Sequence, residues 1–599
     1  MKVQTMTNNL LRAVLTAGLL GLFVAPLIAE TPNFGTISYT VGIDETSYEF
    51  FRIRIEVSHL PSKTLTLRMP TWSPGAYRIR DYSKNVTNFK AFDKTHALLN
   101  VERIGVDSWQ VKLQSDYALV EYEVEPAFEF WSGNSLDSTH ALVQGPSSLM
   151  YLEGFESKPC LIKFEVPDGW GIVSSLNKSD SLNYYAENYP ILIDSPALLG
   201  RFKRYSFRLN NVPFYLILTG DISFQTEPFL KMVQGICEYQ IAFFKEIPFE
   251  KYDFFFTFSP RQFGGGLEHG NSTVIGLSSA KVSEDMTRVA EVTAHEFFHA
   301  WNVKRIRPKV FSANDYTKQA RTKDLWFSEG VTSYYATLTL LRTGIWGESR
   351  FLDEMEQEIV RLQMNPDRHH SSVELASWAV WERGFDPSFI SYYNKGQILG
   401  LLLDLKIRAI TNNRFSLDDV MRFMNWWFAK PGVGFAEGDI KRMVNTVSQT
   451  DLSGFFEKYV AGTVELPYQE ILAAAGLTID LTSDWVPDIG EFLLVGPRNR
   501  VVTVEANSPA EAAGLRRRDY LVQIDDAKVS SLKQAREIVR SKKIGSELHL
   551  KVLRNNVELT LPVEVGKKEI VTCEIRHADN PAPLQARIFE GWLKGMTCN

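Results

Sequence analysis

A histidine pair with an acidic neighbour is the strongest chemical signal in this sequence. The segment His295-Glu296-Phe297-Phe298-His299 has the pattern HExxH. On a helix, residues four apart lie on the same face, so both imidazoles can reach one metal ion at about 2.0–2.1 Å. The carboxylate of Glu296 lies beside them, where it can take a proton from a water molecule at the metal. The motif predicts a zinc site that supports hydrolysis.

Glu329 is the candidate for the third protein ligand that a catalytic zinc needs. It lies in the aromatic segment Trp326-Phe-Ser-Glu-Gly-Val-Thr-Ser-Tyr-Tyr335, which we interpret as a second buried helix. A carboxylate in such apolar surroundings is costly without a partner, and a metal ion would be that partner. A local cap or salt bridge is the alternative role for Glu329. The sequence predicts one zinc ion per chain, bound by His295, His299 and Glu329.

No other motif in the chain competes with this one. His369 and His370 are adjacent, so their rings diverge in a helix or a strand, and the remaining histidines are isolated. GxSxG, Walker A and GxGxxG patterns are absent, which excludes the usual serine-hydrolase, nucleotide-binding and dinucleotide-binding functions. A net charge of −6 and a pI near 6.0 also argue against a nucleic-acid partner.

The length and composition indicate several folded domains. A chain of 599 residues exceeds one hydrophobic core, because domains usually contain roughly 100–200 residues. Hydrophobic residues make up 44% of the chain and charged residues 23%, which excludes disorder as the overall state.

The first 29 residues are typical of a secretory signal peptide. A basic start precedes an apolar run over residues 13–28, which is shorter than the about 20 residues that span a bilayer. We expect cleavage after Ala29, export to the periplasm and no stable membrane anchor afterwards; an uncleaved N-terminal anchor is the alternative. In an oxidising compartment Cys573 could pair with Cys598, although the sequence does not fix the connectivity.

Hydrophobic periodicity separates three kinds of region. Up to about residue 202 the chain is predicted to form mainly strands, in a β-sandwich-like domain. Helical patterns dominate residues 283–476, where Ser283 is the expected N-cap of the HExxH helix and Ser416-Leu-Asp-Asp419 has the form of a capping box. The last region has short β-branched strands and one helix near residues 532–540.

Further motifs resemble one known group of enzymes. Pro70-Thr-Trp-Ser-Pro-Gly-Ala-Tyr77 is similar to a Trp-x-Pro-Gly-x-Tyr signature, and Gly265-Gly-Leu-Glu-His269 to an exopeptidase motif. Tyr393-Asn-Lys-Gly396 is similar to the Tyr-x-Lys-Gly of related aminopeptidases. Together with HExxH, these segments resemble the glycyl aminopeptidase family of thermolysin-like zinc metallopeptidases, which carry a PDZ domain. The resemblance covers roughly residues 37–565.

The resemblance implies roles for further residues. Glu268 would bind the free α-ammonium of a peptide, while Gly265 and Gly266 would let the substrate backbone approach closely. Tyr393 would donate a hydrogen bond to the oxyanion that develops during hydrolysis. One departure is Ser333, which stands one turn after Glu329 where a carboxylate is expected, so the group that orients the histidines stays open.

The resemblance also implies the fold class and the domains. Residues 501–515 and 518–526 are similar to a PDZ domain, which would bind a peptide or a C-terminus; a purely structural PDZ domain is the alternative. The predicted fold is multi-domain α+β, with a β-sandwich-like domain, a thermolysin-like, mostly helical catalytic domain and a PDZ domain. The predicted boundaries are signal peptide 1–29, N-terminal β domain 30–204, zinc peptidase domain 205–478, PDZ domain 479–568 and C-terminal tail 569–599.

These residues favour an exported zinc metallo-aminopeptidase. It would hydrolyse the N-terminal bond of peptide substrates and prefer small residues such as Gly or Ala, as the family does. A PDZ-assisted periplasmic zinc endopeptidase is the first alternative, and it would ignore whether the substrate's amine is free. A binding protein with an inactive peptidase domain is the second, but such a protein would not need the intact set of His295, Glu296, His299 and Glu329.

Overall fold

The computed structural model describes residues 36–126, 133–260 and 264–596. The predicted signal peptide and Cys598 lie outside these ranges, so cleavage after Ala29 and the pairing of Cys598 with Cys573 stay predictions. Within these ranges, no helix combines the length and the apolar character that crossing a bilayer requires. The described chain has the predicted α+β architecture, with a β-rich N-terminal region, a helical middle region, which is the predicted catalytic region, and a β-rich C-terminal region.

The N-terminal region consists of three sheets around one core. A seven-stranded sheet has the order β13-β14-β11-β1-β2-β7-β4, and two four-stranded sheets have the orders β10-β3-β6-β5 and β12-β15-β9-β8. The elements are β1 Ile37–Ile43, β2 Phe51–Val57, β3 Thr64–Arg68, β4 Val86–Phe92, β5 Asn100–Arg103, β6 Ser108–Lys112, β7 Ala118–Val124, β8 Ser135–Leu136, β9 His140–Val143, β10 Tyr151–Leu152, β11 Cys160–Glu165, β12 Gly171–Ser174, β13 Asn177–Lys178, β14 Tyr184–Ala186, α1 Tyr189–Ile193 and β15 Ala197–Gly200.

Alternating side chains explain why these segments form sheets. In β7, every second residue from Ala118 to Val124 is buried, and the residues between them are partly exposed. Successive residues of a strand point to opposite faces, so this pattern packs one face of the sheet on the core. The residues that alternate as apolar and polar in the sequence therefore alternate as buried and partly exposed in the strand.

The catalytic region begins with a five-stranded sheet of order β16-β17-β18-β20-β19. Strand β18 is central and lies parallel to both neighbours, and its aromatic residues 254–256 are fully buried. Strand β19 lies at the edge, antiparallel to β20. The elements are β16 Lys203–Leu209, β17 Val212–Gly220, α2 Thr226–Phe244, β18 Tyr252–Ser259, β19 Gly264–Glu268 and β20 Ser272–Ser278.

Helices follow this sheet and form most of the catalytic region. The capping box that the sequence predicts at Ser416 is present, because Asp419 accepts a hydrogen bond from the Ser416 backbone N–H at 2.9 Å. The helices are α3 Ser279–Glu284, α4 Ala290–Phe298, α5 Thr332–Arg342, α6 Glu348–Gln363, α7 Val373–Arg383, α8 Tyr392–Ile410, α9 Leu417–Met424, α10 Asp439–Ser448, α11 Ser453–Phe455 and α12 Tyr468–Ala473.

The N-terminus of the HExxH helix α4 differs from the sequence-based expectation. Ser283 does not cap it but lies inside α3, where its hydroxyl donates to the backbone carbonyl of Ser279 at 2.9 Å. The carboxylate of Asp285 accepts from the backbone N–H of Thr287 at 3.0 Å and caps a separate 3₁₀ turn. Because Asp285 caps this separate turn, the single helix predicted from Ser283 is interrupted, and α4 begins only at Ala290.

The predicted PDZ region follows one strand of a two-stranded ribbon and precedes the other. Strands β21 and β28 pair along their full length and lead to and from a sheet of order β22-β23-β24-β26-β27, in which β25 pairs with β24. The chain then returns to the catalytic region, where the fully buried Trp592 packs on the helices. The elements are β21 Leu477–Asp488, β22 Phe492–Val495, β23 Arg500–Val504, α13 Pro509–Ala512, β24 Tyr520–Ile524, β25 Ala527–Lys528, α14 Leu532–Arg540, β26 Glu547–Arg554, β27 Val557–Glu564, β28 Gly566–His577 and α15 Pro583–Lys594.

Candidate active site

The three predicted metal ligands lie together between two helices. Nε2 of His295 on α4 lies 3.0 Å from Nε2 of His299, the residue that caps the C-terminal end of α4. Oε2 of Glu329, on the π-helical turn Trp326–Val331 that leads into α5, is 3.4 Å from the first nitrogen and 3.2 Å from the second. Two ligands of a tetrahedral zinc at about 2.0–2.1 Å lie about 3.3–3.4 Å apart. The three ligand atoms therefore have the spacing that zinc requires.

Hydrogen bonds outside this cluster orient both imidazoles. Nδ1 of His299 lies 2.5 Å from the backbone carbonyl oxygen of Asn302, which can only accept, so Nδ1 carries the proton and Nε2 keeps its lone pair. Nδ1 of His295 lies 3.3 Å from the hydroxyl oxygen of Ser333. That hydroxyl donates to the backbone carbonyl of Glu329 at 3.1 Å and is thereby free to accept from His295. Ser333 is the group that the sequence left open.

The charges around the histidines favour a cation. Burial alone lowers the pKa of His299, but the carboxylates of Glu329, Glu268 and Glu296 outweigh burial and raise that pKa to about 10. Burial opposes ionisation of Glu329, yet the two histidines hold its pKa below the usual value. Three buried carboxylates around two imidazoles are costly unless a positive charge compensates them. The residues present fit a divalent metal ion.

Glu296 and Glu268 form a second acidic pair beside this cluster. Carboxylate oxygens of both residues and a ring nitrogen of His299 lie within 4.8 Å of one another. Glu268 is 5% exposed and Glu296 is 6% exposed, and burial raises the pKa of each side chain. Oε2 of Glu296 has no hydrogen-bond partner in the described part of the chain. A buried carboxylate with an unused oxygen and a raised pKa is suited to accept a proton.

The edge strand β19 carries Glu268 and the predicted glycines. Gly266 lies against Glu296, and a Cβ atom built on it would be 2.4 Å from the carboxyl carbon of that residue. The missing side chain thus makes room for the predicted general base, a reason that the sequence did not indicate. Gly265 pairs with Gly276 of β20 on one side only, and β19 ends the sheet. An extended peptide could therefore add to its open edge.

Two neighbouring tyrosines begin α8, and they have different surroundings. The ring of Tyr393 is half-buried, with its centroid 6.0 Å from that of His295. Tyr392 is 3% exposed and faces the ring of Tyr77 instead. Of the two hydroxyl groups, the geometry favours that of Tyr393 as a donor at the metal cluster.

Close contact between two glycines holds α8 against the Glu329 turn. A Cβ atom built on Gly330 would lie 2.5 Å from Cα of Gly396, and one built on Gly396 would lie 2.5 Å from the carbonyl oxygen of Trp326. Larger residues would separate the two backbones. The glycine of the Tyr-x-Lys-Gly segment therefore brings Tyr393 and Glu329 to the same site.

The N-terminal region also contributes to the site, which sequence reasoning missed. The hydroxyl of Tyr77 donates to Oε1 of Glu329 at 2.6 Å, across 252 positions of sequence. Gly75 lies against Glu268, because a Cβ atom built on it would be 2.6 Å from a carboxylate oxygen. A cavity of about 390 Å³ between the two regions is lined by Tyr77, Glu268 and Phe311 among others. The Trp-x-Pro-Gly-x-Tyr segment was the available signal, but its spacing does not reveal these contacts.

Comparisons with protein families agree with this architecture. A model of the Peptidase M61 N-terminal domain matches residues 38–201, and a model of the M61 glycyl aminopeptidase matches residues 288–399. A PDZ domain model matches residues 480–565.

Two solved structures are similar to this chain, to different extents. A crystal structure of an aminopeptidase N family protein from Idiomarina loihiensis is 24% identical, with a TM-score of 0.82 over 93% of this chain and 100% of that one, which shows a shared fold. An M1 zinc metallopeptidase from Deinococcus radiodurans is 13% identical, with a TM-score of 0.44 over 72% of this chain and 95% of that one.

The curated relatives match over shorter stretches. The Serine protease Do-like HtrA of Bacillus subtilis is 28% identical over 194 residues, which are 29% of this chain and 36% of that protein. A probable periplasmic serine endoprotease DegP-like of Rickettsia prowazekii is 34% identical over 92 residues, 15% of this chain and 17% of that protein. The chain therefore spans at most 36% of the length of these two relatives. By these matches and its metal-binding geometry, the chain is a zinc metallopeptidase that contains the N-terminal and catalytic domains of the peptidase M61, glycyl aminopeptidase, family together with a PDZ domain.

Proposed function

We propose that the protein is an exported, periplasmic zinc aminopeptidase that removes the N-terminal residue from peptides. The observation that carries this proposal is the position of Glu268. Its carboxylate lies within 4.8 Å of the ligand atoms of Glu296 and His299, on an edge strand that can bind extended peptide backbone. A peptide ammonium held by Glu268 would place the first peptide bond at the metal cluster.

His295, His299 and Glu329 would hold the zinc ion. When bound, zinc supplies a positive charge that polarises a carbonyl oxygen and makes water more acidic. Glu296 would hold the proton of the attacking water on its free Oε2 and pass it to the leaving amine. Tyr393 would donate a hydrogen bond to the carbonyl oxygen as negative charge develops there.

Burial makes these groups effective. Glu296 and Glu268 have raised pKa values because both side chains are buried, and hydrogen bonds to charged groups are strong in such surroundings. The same burial favours a substrate cation that compensates the charge of Glu268. This need favours peptides with a free amine over blocked ones.

Three parts of the proposal do not depend on the geometry of the metal cluster. They are the preference for Gly or Ala, the export and the ligand of the PDZ domain. The preference is that of the matching family, whose name is M61 glycyl aminopeptidase. Export is supported by the signal-like sequence of residues 1–29. For the PDZ domain we propose a peptide or C-terminal ligand, which would lie along the edge strand β22 beside α14.

Chromogenic amides of Gly and Ala, with and without N-acetylation, test the proposal. We expect wild type to hydrolyse the free-amine amides at least 100-fold better in kcat/KM. Glu268→Gln should lose about 30- to 5,000-fold of kcat/KM for free-amine amides, the equivalent of about 2–5 kcal/mol for one side of a buried charged pair. Acetylated amides should change little.

Glu291→Gln is the matched control. Glu291 lies on the same helix as Glu296, and burial raises its pKa to about 8, but it lies outside the group of metal-ligating residues. Its substitution should leave the ratio between free and acetylated substrates unchanged. Equal hydrolysis of both substrates by wild type would contradict the amine-binding role and support the endopeptidase alternative. An absence of hydrolysis by zinc-loaded wild type would support the inactive binding protein.

A further inference from the structure

We propose that Tyr77, from the N-terminal β-rich region, is a positioning residue of the metal site. Its hydroxyl holds Oε1 of Glu329, so that Oε2 is the oxygen directed at the two histidines. The catalytic region would then bind its metal at full affinity only with a side chain that another region supplies. This inference rests on the proposed zinc site.

The two oxygens of Glu329 have separate partners. Oε2 lies 3.2 Å from Nε2 of His299 and 3.4 Å from Nε2 of His295. Oε1 accepts the Tyr77 hydroxyl proton at 2.6 Å, a short bond to a charged acceptor. A carboxylate with one oxygen tied to a phenol has one oxygen left for a metal. Tyr77 thereby fixes both the orientation and the single-oxygen mode of the ligand.

Aromatic rings fix the phenol itself. The Tyr77 ring stacks on Phe311 at a centroid distance of 5.9 Å and meets the edges of Trp381 at 6.3 Å and Tyr392 at 6.5 Å. Tyr77 and Glu329 are both 2% exposed, so water does not compete for their hydrogen bond. A donor that is packed on several sides costs little further entropy when it binds its acceptor.

The backbone of Tyr77 adopts a strained conformation. Its φ of 42° lies in the left-handed region, which bulky side chains rarely adopt. Such conformations cost about 1–3 kcal/mol and persist where the surrounding structure enforces them, often at functional sites. The strained segment also brings Gly75 against Glu268. One loop of the N-terminal region thus contacts both the metal ligand and the predicted amine-binding residue.

Tyr77→Phe in the full-length protein tests the inference, because it removes only the hydroxyl. The zinc dissociation constant is measured by competition with a chromophoric chelator, and Co²⁺-loaded protein is examined by visible absorption. We expect the dissociation constant to rise about 10- to 100-fold, as is typical when a partner of a metal ligand is lost. The Co²⁺ absorption bands should shift, since the carboxylate can then change its binding mode.

Tyr189→Phe is the matched control. Its hydroxyl donates over the same distance, 2.6 Å, to the backbone carbonyl of Leu149, and the residue is 1% exposed in the same region. This variant should change the melting temperature of the metal-free protein as Tyr77→Phe does, but neither the zinc affinity nor the Co²⁺ spectrum.

A double-mutant cycle separates positioning from general destabilisation. In a Glu329→Ala background, adding Tyr77→Phe should change the zinc dissociation constant by less than threefold, because the acceptor of the Tyr77 hydroxyl is already lost. Zinc affinity and Co²⁺ bands of Tyr77→Phe equal to wild type would overturn the inference. If Tyr77→Phe does not fold, full zinc affinity of folded Tyr77→Leu protein, whose side chain has no hydrogen-bond donor, would overturn it. Failure of wild type itself to bind zinc would instead contradict the proposed function.

Discussion

The hydroxyl of Ser333 connects two of the predicted metal ligands. It lies 3.3 Å from Nδ1 of His295 and donates to the backbone carbonyl of Glu329 at 3.1 Å. A neutral group thus occupies the position one turn after Glu329, where the resemblance led us to expect a carboxylate. It orients the imidazole without adding another negative charge to a site that already holds three buried carboxylates.

We predict that Ser333→Ala weakens zinc binding without unfolding the site. Loss of the acceptor at Nδ1 of His295 should raise the zinc dissociation constant about tenfold. Chelator competition measures the change. Thr337→Ala is the control, because the Thr337 hydroxyl lies one turn further along α5 and donates only to backbone carbonyls of that helix. An unchanged affinity in Ser333→Ala would show that His295 needs no such partner.

Glu296→Gln should retain zinc and substrate but lose turnover. The amide cannot accept the water's proton, and general-base catalysis typically contributes about 10²–10⁴-fold. We therefore expect kcat to fall by that factor while zinc stoichiometry stays at one per chain. Steady-state kinetics and metal analysis of the same sample measure both quantities. Activity within tenfold of wild type would assign the proton transfer to another residue.

Gly266→Ala should disturb the same carboxylate from the opposite side. The added methyl group would lie 2.4 Å from the carboxyl carbon of Glu296, so one of the two must move. We expect kcat to fall at least tenfold, with zinc affinity within threefold of wild type. Gly264→Ala on the same strand is the control, since its Cβ position has no atom within 4 Å. Equal kcat values for the two variants would exclude this packing role.

An ion pair between the N-terminal and catalytic regions should make stability depend on pH. Burial alone raises the pKa of Asp194, but Lys304, with its ammonium 2.7 Å away, and His269 outweigh burial and lower that pKa to about 2. A lowered carboxyl pKa stabilises the fold above the unfolded value of about 4, and this contribution is lost as the pH falls from about 4 to about 2.

Asp194→Asn tests this ion pair. It should lower the free energy of unfolding by about 2 kcal/mol at pH 7, and the difference from wild type should shrink at pH 3. Urea unfolding at the two pH values measures it. Asp315→Asn is the control, because the partner Lys318 is 77% exposed and such surface pairs contribute about 0–1 kcal/mol. A difference that is equal at both pH values would exclude ionisation of Asp194 as its cause.

Local pattern in the sequence determined much of the chemistry and of the secondary structure. The spacing of His295 and His299 places both imidazoles on one helix face in any helix, because the α-helical period is 3.6 residues. The capping box at Ser416 and the helix Leu532–Arg540 likewise depend on neighbours within a few positions. The prediction that Ser283 caps the HExxH helix was wrong, because Asp285, two residues further on, caps a separate 3₁₀ turn.

Only the tertiary structure decided which distant residues complete the site. Tyr77 meets Glu329 across 252 positions, and Gly266 makes room for a carboxylate on a helix rather than only for a substrate. The choice of Ser333 as the partner of His295 depends on how α5 lies against α4. Such contacts follow from how whole sheets and helices pack, and many different packings are compatible with the same local periodicity. The sequence could therefore predict three side chains that meet as candidate metal ligands, but not the residues that lie against them.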